Sequence, residues 1–425
     1  MKKLLTIVMV LMLAFVGCVS CNNDTSKKVK VGLLALHDSN STYDKNFIDA
    51  FENACKAKGV EPVIKTNIEE GENCRTEALN LVDDGCKLVF GDSFGHEAWL
   101  REAAGKAPNV QFCHATGTSA QTDKSLKNFH NAFASIYEGR YIAGYAAGLK
   151  LVEMYNANNA IAKDGVINVG YVGAYPYAEV KSGYTSWLLG VRKAFYESVS
   201  NVTVNMIVEF TNSWYDETAE MNAANVLIEK DCVIISQHAD SWGAPTACEN
   251  KLVPNVSYNG STKLKCPKTF IISSRINWQP YFEYIIDCVL NNKEIAADWT
   301  GELGETFASG SVCLTELGEQ APAAGTQAKI EGIAKQLKEG SIKVFDVSTF
   351  TVSKNYTEMT NQYPALTDVT VDESKHLTSA KQNGVEVIKE SNGIKYFDES
   401  CVATNRSAPY FDMDIDGITL NLKKA

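Results

Sequence analysis

The sequence is poor in the side chains that most often carry catalysis or bind metals. It holds only six histidines among 425 residues, scattered so that no two pair at metal-ligand spacing. No G-x-x-x-x-G-K-[ST], no G-x-G-x-x-G and no H-E-x-x-H occurs, which removes the common nucleotide-phosphate cradles and the zinc-peptidase motif. There is no block of basic residues, and the formal net charge is −11, so nucleic acid is excluded as a partner. After the first residues no apolar run approaches the roughly 20 residues that span a bilayer. Twelve cysteines are present, yet the one C-x-x-C is Cys18 to Cys21, so zinc-finger spacing is absent too. Neither a cofactor nor a metal is expected.

What is present begins with an export signal. Met1-Lys2-Lys3 precedes a short apolar stretch from Leu4 to Val16, and Gly17-Cys18 follows. A cysteine directly after such a stretch predicts a bacterial lipoprotein site with Cys18 lipidated, Cys21 being the second candidate. The expected location is the cell membrane, the body being exported to the periplasm or cell surface and held by the N-terminal lipid. Residues 18–28 read as a polar tether. In an exported chain the remaining cysteines could form disulfides or serve as small buried residues.

From Val29 the pattern alternates strand and helix. Val29–Leu36 is nearly continuous in apolar residues, as suits a strand covered on both faces. A helix over 45–58, stopped by Gly59, leads to strands at 62–65, 87–90 and 110–114 with helices between them. The alternation then restarts, with a helix over 137–154 bearing Gly139, Gly144 and Gly148, small residues that permit close helix packing. Strands follow at 166–172, 202–210, 231–236 and 268–273. The expected class is α/β: two doubly wound, Rossmann-like lobes joined by a hinge, able to close on a ligand. The expected division places 29–130 and 266–315 in an N-terminal lobe and 131–265 and 316–350 in a C-terminal lobe. Residues 351–425, where periodicity is weak, are expected to form a surface appendage.

Candidate site residues gather just past the strand ends, where open α/β sheets bind ligands. They are Asp38, Asn40 and Tyr43; Ser93 and Phe94; Thr116 and Gly117; Glu179; Trp214; Asp240; and Asn277 with Trp278. Almost every strand end offers an aromatic ring, an amide or a carboxylate. Such equipment suits a flat, heteroatom-rich ligand, and a sugar site would look similar. Taken singly, each ring could equally be core and each Asp or Ser a helix cap, Asp216 and Ser93 being examples. His37, His114 and His238 also sit at strand ends and read as polar lining.

Several motifs, in this order, resemble the basic membrane protein family of ABC-transporter substrate-binding lipoproteins, which has a type I periplasmic-binding fold. They are Gly91-Asp-Ser-Phe-Gly95, Ala115-Thr-Gly117, Tyr137-Glu-Gly-Arg-Tyr-Ile-Ala-Gly144, Val169-Gly-Tyr-Val172, Asn212-Ser-Trp-Tyr-Asp216, Gln237-His-Ala-Asp-Ser241 and Asn277-Trp278. The likeness covers roughly Val29 to Leu314. It implies a monomeric receptor that delivers a purine nucleoside or nucleobase to an ABC permease without chemistry. It further implies that Tyr43 and Trp214 sandwich the purine, that Asp38, Asn40 and Ser93 line its edge, and that Asp240 and Asn277 lie deeper. Nucleoside receptors of the family carry an acidic pair where this chain reads Val256-Ser-Tyr-Asn259, and a lysine near Asn277. Both are missing, which tilts the expectation toward a free nucleobase. The alternative in another class is a surface or sensory lipoprotein that binds a different polar ligand, such as a sugar, without a transporter.

Overall fold

The structure, a computed structural model, describes residues 28–353, 366–399 and 408–421. The export signal, Cys18, Cys21 and most of the tether lie outside the described residues. The first β/α run comprises β1 (Lys30–Leu34), α1 (Thr42–Lys58), β2 (Glu61–Lys65), α2 (Glu72–Asp83), β3 (Cys86–Gly91), α3 (Glu97–Lys106), β4 (Gln111–Ala115), the single turn α4 (Ser119–Thr122) and β5 (Phe129–Ala134). The second comprises α5 (Ile136–Ala157), β6 (Val166–Gly173), α6 (Ala178–Tyr196), β7 (Thr203–Phe210), α7 (Glu217–Glu229), β8 (Cys232–Gln237), α8 (Gly243–Lys251), β9 (Asn255–Tyr258) and β10 (Phe270–Ile276). Then come α9 (Gln279–Leu290), β11 (Asp298–Gly301), β12 (Val312–Leu314) and α10 (Thr326–Glu339). The last part holds β13 (Leu366–Val371), β14 (Leu377–Gln382), β15 (Val385–Glu386), β16 (Ile388–Ser391), β17 (Ile394–Phe397) and β18 (Ile418–Asn421).

The two runs build two sheets with one topology. The first sheet has the order β11-β5-β4-β3-β1-β2, and the second β12-β10-β9-β8-β6-β7-β18. Apart from the antiparallel edge pair β10/β12, every pairing in them is parallel. Parallel strands need crossovers that bury both faces of the sheet. Accordingly β1 is buried from Val31 to Leu34 and β8 buries Cys232 and Ile234 to Gln237. In each sheet the chain reverses its winding direction beside the first strand of the run, between β1 and β3 and again between β6 and β8. The fold is therefore the expected α/β class of two doubly wound units.

Three chain crossings join the units: after β5, after β10 and after β11. They bond to one another, the Ser135 amide donating to the Gly301 carbonyl (2.8 Å) and the Asn277 amide to the Ser311 carbonyl (2.7 Å). The expected boundary at 266 differs from the topology. β10 completes the second sheet beside β9, and only α9 and β11 return to the first unit before β12 goes back. Alternating strands of similar apolarity give no sign in the sequence of which sheet they enter.

The tail also differs from a surface appendage. Ile418–Asn421 adds to the edge of the second sheet in parallel register with β7. Tyr410, Phe411, Met413 and Ile415 are each at most 1 % exposed. The stretch 343–347 forms no strand, although Val344 and Phe345 are buried in the same core. All nine cysteines among the described residues are free and buried, so there they act as small apolar side chains.

Helices α5 and α6 pack at the limit of backbone approach. A Cβ at Gly144 would lie 2.0 Å from the carbonyl oxygen of Trp187, and one at Gly190 would lie 2.1 Å from that of Tyr141. Both obstacles are main chain and cannot rotate away. Gly144→Ala is expected to force the helices apart at a cost of about 1–3 kcal/mol, the usual range for overpacking. A urea midpoint equal to that of the parent chain would contradict this.

Candidate functional site

Both winding reversals open onto one cavity of about 380 Å³ between the sheets. That is toward the small end of the roughly 300–1,000 Å³ typical of small-molecule sites. From the first unit, the β1–α1 connection supplies Leu36 and His37, the first turn of α1 supplies Tyr43 and Asp44, the turn after β3 supplies Ser93 and Phe94, and the loop after β4 supplies Thr116 and Thr118. From the second unit, Tyr177, Ala178 and Glu179 come from the start of α6, Trp214 from the β7–α7 loop, His238 and Asp240 from the turn after β8, and Tyr258 from the end of β9. This is the crevice at the carboxyl ends of parallel strands, at the topological switch point, realised once in each sheet.

Local structure fixes the two prominent rings. Ser41 caps α1, its hydroxyl accepting from the Asp44 amide, and so places Tyr43 in the first turn. The Tyr43 hydroxyl donates to the Asp92 carbonyl at 2.8 Å, which pins the ring over the end of β3. Asp216 caps α7 by accepting from the Ala219 amide, and Asn212 adopts a left-handed backbone (φ 58°). Between them Trp214 is half-buried, edge-on to Tyr175 (5.1 Å) and Tyr177 (5.8 Å), which stack on each other. Tyr43 and Trp214 thus line one cavity from opposite units.

The two walls also touch. The Thr42 amide and hydroxyl both donate to the Asp240 carbonyl at 3.1 Å. Phe94 meets Tyr177 and His37 meets Tyr215, each pair at 5.3 Å between ring centres. The units are closed over the cavity.

Acceptors dominate its polar lining. Burial pushes Asp44 up, but hydrogen bonds from the His37 ring and amide and from the Ser41 hydroxyl outweigh it and hold the carboxyl below the usual range. Behind it Asp92, fully buried and beside Asp44, is pushed well up. Asp240 is likewise pushed well up, by burial first and then by Asp44 and Glu220. Glu179 Oε2 lies 2.7 Å from His238 Nε2, and His238 Nδ1 lies 3.2 Å from the Tyr171 hydroxyl. Burial pushes the His238 imidazole down, so the neutral ring donates Nε2–H to Glu179 and accepts from Tyr171. Glu179 Oε1 is buried with no hydrogen-bond partner, an acceptor left over on a cavity residue. Arg101, the one arginine or lysine among the lining residues, is committed to Asp123 and Ser119. A neutral ligand with N–H or O–H donors fits this lining, and a phosphate does not.

Of the expected site residues, Tyr43, Ser93, Phe94, Thr116, Glu179, Trp214 and Asp240 line the cavity. Asp38, Asn40, Gly117, Asn277 and Trp278 do not. Asp38 accepts from the Asn40 amide in a self-bonded turn. Gly117 is hemmed in, a Cβ there falling 2.3 Å from both Asn131 Nδ2 and Glu97 Oε1. Asn277 belongs to the hinge, donating to the Gly310 carbonyl and accepting from the Gln279 amide. Trp278 is 1 % exposed and stacks on Phe47 at 4.4 Å, so it is core. Asp44 and Tyr258 are among the lining residues that had no expected role. Asp44 lies inside a helix, and Tyr258 lies in a strand whose apolar run is short. Tyr258 is packed under the Arg140 guanidinium, 3.4 Å from the ring centre.

Gly91-Asp-Ser-Phe-Gly95 also satisfies the G-x-S-x-G spacing of a nucleophile elbow. Its hydroxyl is occupied otherwise, donating to Glu70 Oε1 at 2.6 Å, and the His114 ring nitrogen meets the Ser93 carbonyl instead. The triad geometry of serine to histidine is therefore not formed.

Beneath the Asp240 turn, Glu220 accepts from the Ser241 amide and is pushed up to about 7, mainly by burial. A carboxyl whose folded pKa exceeds its unfolded one adds stability below the unfolded value, and that stability is lost as pH rises through about 7. Glu220→Gln keeps the acceptor and removes the charge. Its melting temperature is expected to gain on the parent chain from pH 5 to pH 8; a constant difference across that range would refute a titrating Glu220.

Comparison with known proteins agrees with this geometry. Residues 31–307 match the family described as ABC transporter substrate-binding protein, PnrA-like. A purine-binding protein of Brucella abortus is 29 % identical over 261 residues, covering 60 % of this chain and 67 % of that protein. A Haloferax volcanii protein described as an ABC transporter glucose-binding protein is 29 % identical over 215 residues, covering 50 % of this chain and only 49 % of its own length. Among solved structures, an ABC transporter solute-binding protein of Aeropyrum pernix superposes with a TM-score of 0.61 at 13 % identity, covering 77 % of this chain and 95 % of that one.

Proposed function

The chain belongs to the PnrA-like family of ABC transporter substrate-binding proteins, and from that membership we propose that its ligand is a purine, a free nucleobase ahead of a nucleoside. As a member of that family it is a binding protein and not an enzyme. The observation that carries the purine reading is the placement of Tyr43 and Trp214 on opposite walls of a cavity of about 380 Å³. Two rings approaching from two closing units favour a flat aromatic ligand, which they can cover on both faces. The acceptor-rich edge, above all the free Glu179 Oε1, suits the N–H donors of a purine. The purine-binding relative from Brucella supports the same reading. Where ribose-binding acids would stand, Tyr258 lines the wall, which favours the smaller nucleobase.

We further propose a monomer anchored by lipid at Cys18, handing its ligand to an ABC permease. Among the described residues no helix is long and apolar enough to cross a membrane, so the N-terminus is the proposed attachment. Mass spectrometry of ligand released from freshly purified protein, followed by calorimetric titration with adenine, guanine, adenosine, guanosine and glucose, tests the assignment. Release of a purine and binding of a nucleobase are the expected results. Binding of glucose alone would overturn the purine reading in favour of a sugar, as in the description of the Haloferax relative.

A further inference from the structure

One wall residue of the cavity comes from a part of the chain that the family match does not reach. The match ends at residue 307, whereas Ala408 lines the cavity and is 2 % exposed. It packs in the apolar cluster of Phe133, Tyr258 and Trp278, the first two of which are also lining residues.

The segment that carries Ala408 is held on several sides. Phe411 stacks on Phe345 at 4.3 Å with the rings 7° apart, and meets Phe350 and Phe397 edge-on. Asp412 and Asp414 lie 3.1 and 3.8 Å from the Lys181 ammonium, and the Tyr184 hydroxyl donates to Asp414. Arg192 donates to the Asp416 carbonyl, and β18 then joins β7. Lys181 stands two residues after Glu179 in the first turn of α6. One helix start therefore presents a carboxylate to the cavity and an ammonium to the tail.

A wall residue fixed this firmly cannot retreat from a larger ligand, and an alanine there leaves the most room that any residue but glycine allows. We propose that Ala408 is a specificity-determining residue, so that the C-terminal segment sets which size of ligand the cavity accepts. The inference rests on the purine reading only for its choice of probes.

Full-length parent chain, Ala408→Gly and Ala408→Leu would be titrated with adenine, guanine, adenosine, guanosine and glucose, with melting curves as a folding control. Ala408→Leu is expected to lower the affinity for whichever probe the parent binds by at least tenfold, while Ala408→Gly stays within threefold. Equal affinities for parent and Ala408→Leu would overturn the proposal. If the parent binds glucose and no purine, the purine reading falls, and the wall role is decided by the same comparison on glucose.

Should Ala408→Leu fail to fold, Ala408→Cys provides a second measurement. Its thiol, alkylated by N-ethylmaleimide and followed by peptide mass spectrometry, is expected to react at least tenfold more slowly in the presence of the bound probe. Unchanged reactivity at saturating probe would place residue 408 away from the ligand and overturn the proposal.

Discussion

Replacing Trp214 with alanine is expected to weaken purine binding by roughly 30- to 150-fold, about 2–3 kcal/mol, the cost of losing a desolvated aromatic anchor at the centre of a site. The indole packs on one side against Tyr175 and Tyr177 and lines the cavity on another, so truncation opens the wall as well as removing the stacking face. Trp214→Phe retains a ring and should recover most of the affinity. Tyr43→Phe separates stacking from positioning on the facing wall, since it removes only the 2.8 Å bond to the Asp92 carbonyl. That bond contributes on the order of 1 kcal/mol, and its loss should cost less than tenfold. Calorimetry with adenine and guanine reads all three variants. Affinity unchanged in Trp214→Ala would remove the ring from the site, and with it the geometric basis for a flat ligand.

What the sequence made legible, and what it did not, follows from the range of the interactions involved. Strands covered on both faces and helices with caps are local patterns, so the alternation from Lys30 to Gln237 and the strand-end position of the site could be read directly, whereas the short α8 and β9 could not. Tyr43 and Trp214 stood out because each lies just past a strand end, a local signal, and the family resemblance paired them; the structure places each near a helix cap, Ser41 and Asp216. Trp278 carried the same strand-end signature, but its ring turns into the core against Phe47, a choice made by packing between α1 and α9. Asn277 looks like a site amide in sequence and serves the hinge, because the bonds it makes to Gly310 and Gln279 depend on where β12 returns. Long-range pairing was the least legible of all. The four residues of β18 carry no sign that they extend a sheet whose neighbouring strand lies about two hundred positions earlier. Lys181, Asp412 and Asp414 could likewise not be matched by spacing.

That buried trio yields the prediction with the largest effect on stability. Lys181 is 2 % exposed, and the Asp412 side chain beside it is 5 % exposed at 3.1 Å. Charges removed from water are tolerated only while they stay paired, so deleting the ammonium takes from two buried carboxylates the cation they share. Lys181→Met, which keeps the length and apolar stem of the side chain, is expected to destabilise the chain by about 3–5 kcal/mol. Asp412 stands closer to the ammonium than Asp414 does, 3.1 Å against 3.8 Å, so most of the penalty should fall on Asp412. Adding Asp412→Asn should therefore recover part of the loss, and the two changes should be non-additive by more than the few tenths of a kcal/mol expected of independent sites. Urea denaturation of the two single variants and the double variant closes the cycle. Strict additivity would mean that the ion pair does not hold the C-terminal segment. A large coupling would locate the tail's attachment at the start of α6, two residues from the carboxylate that faces the ligand.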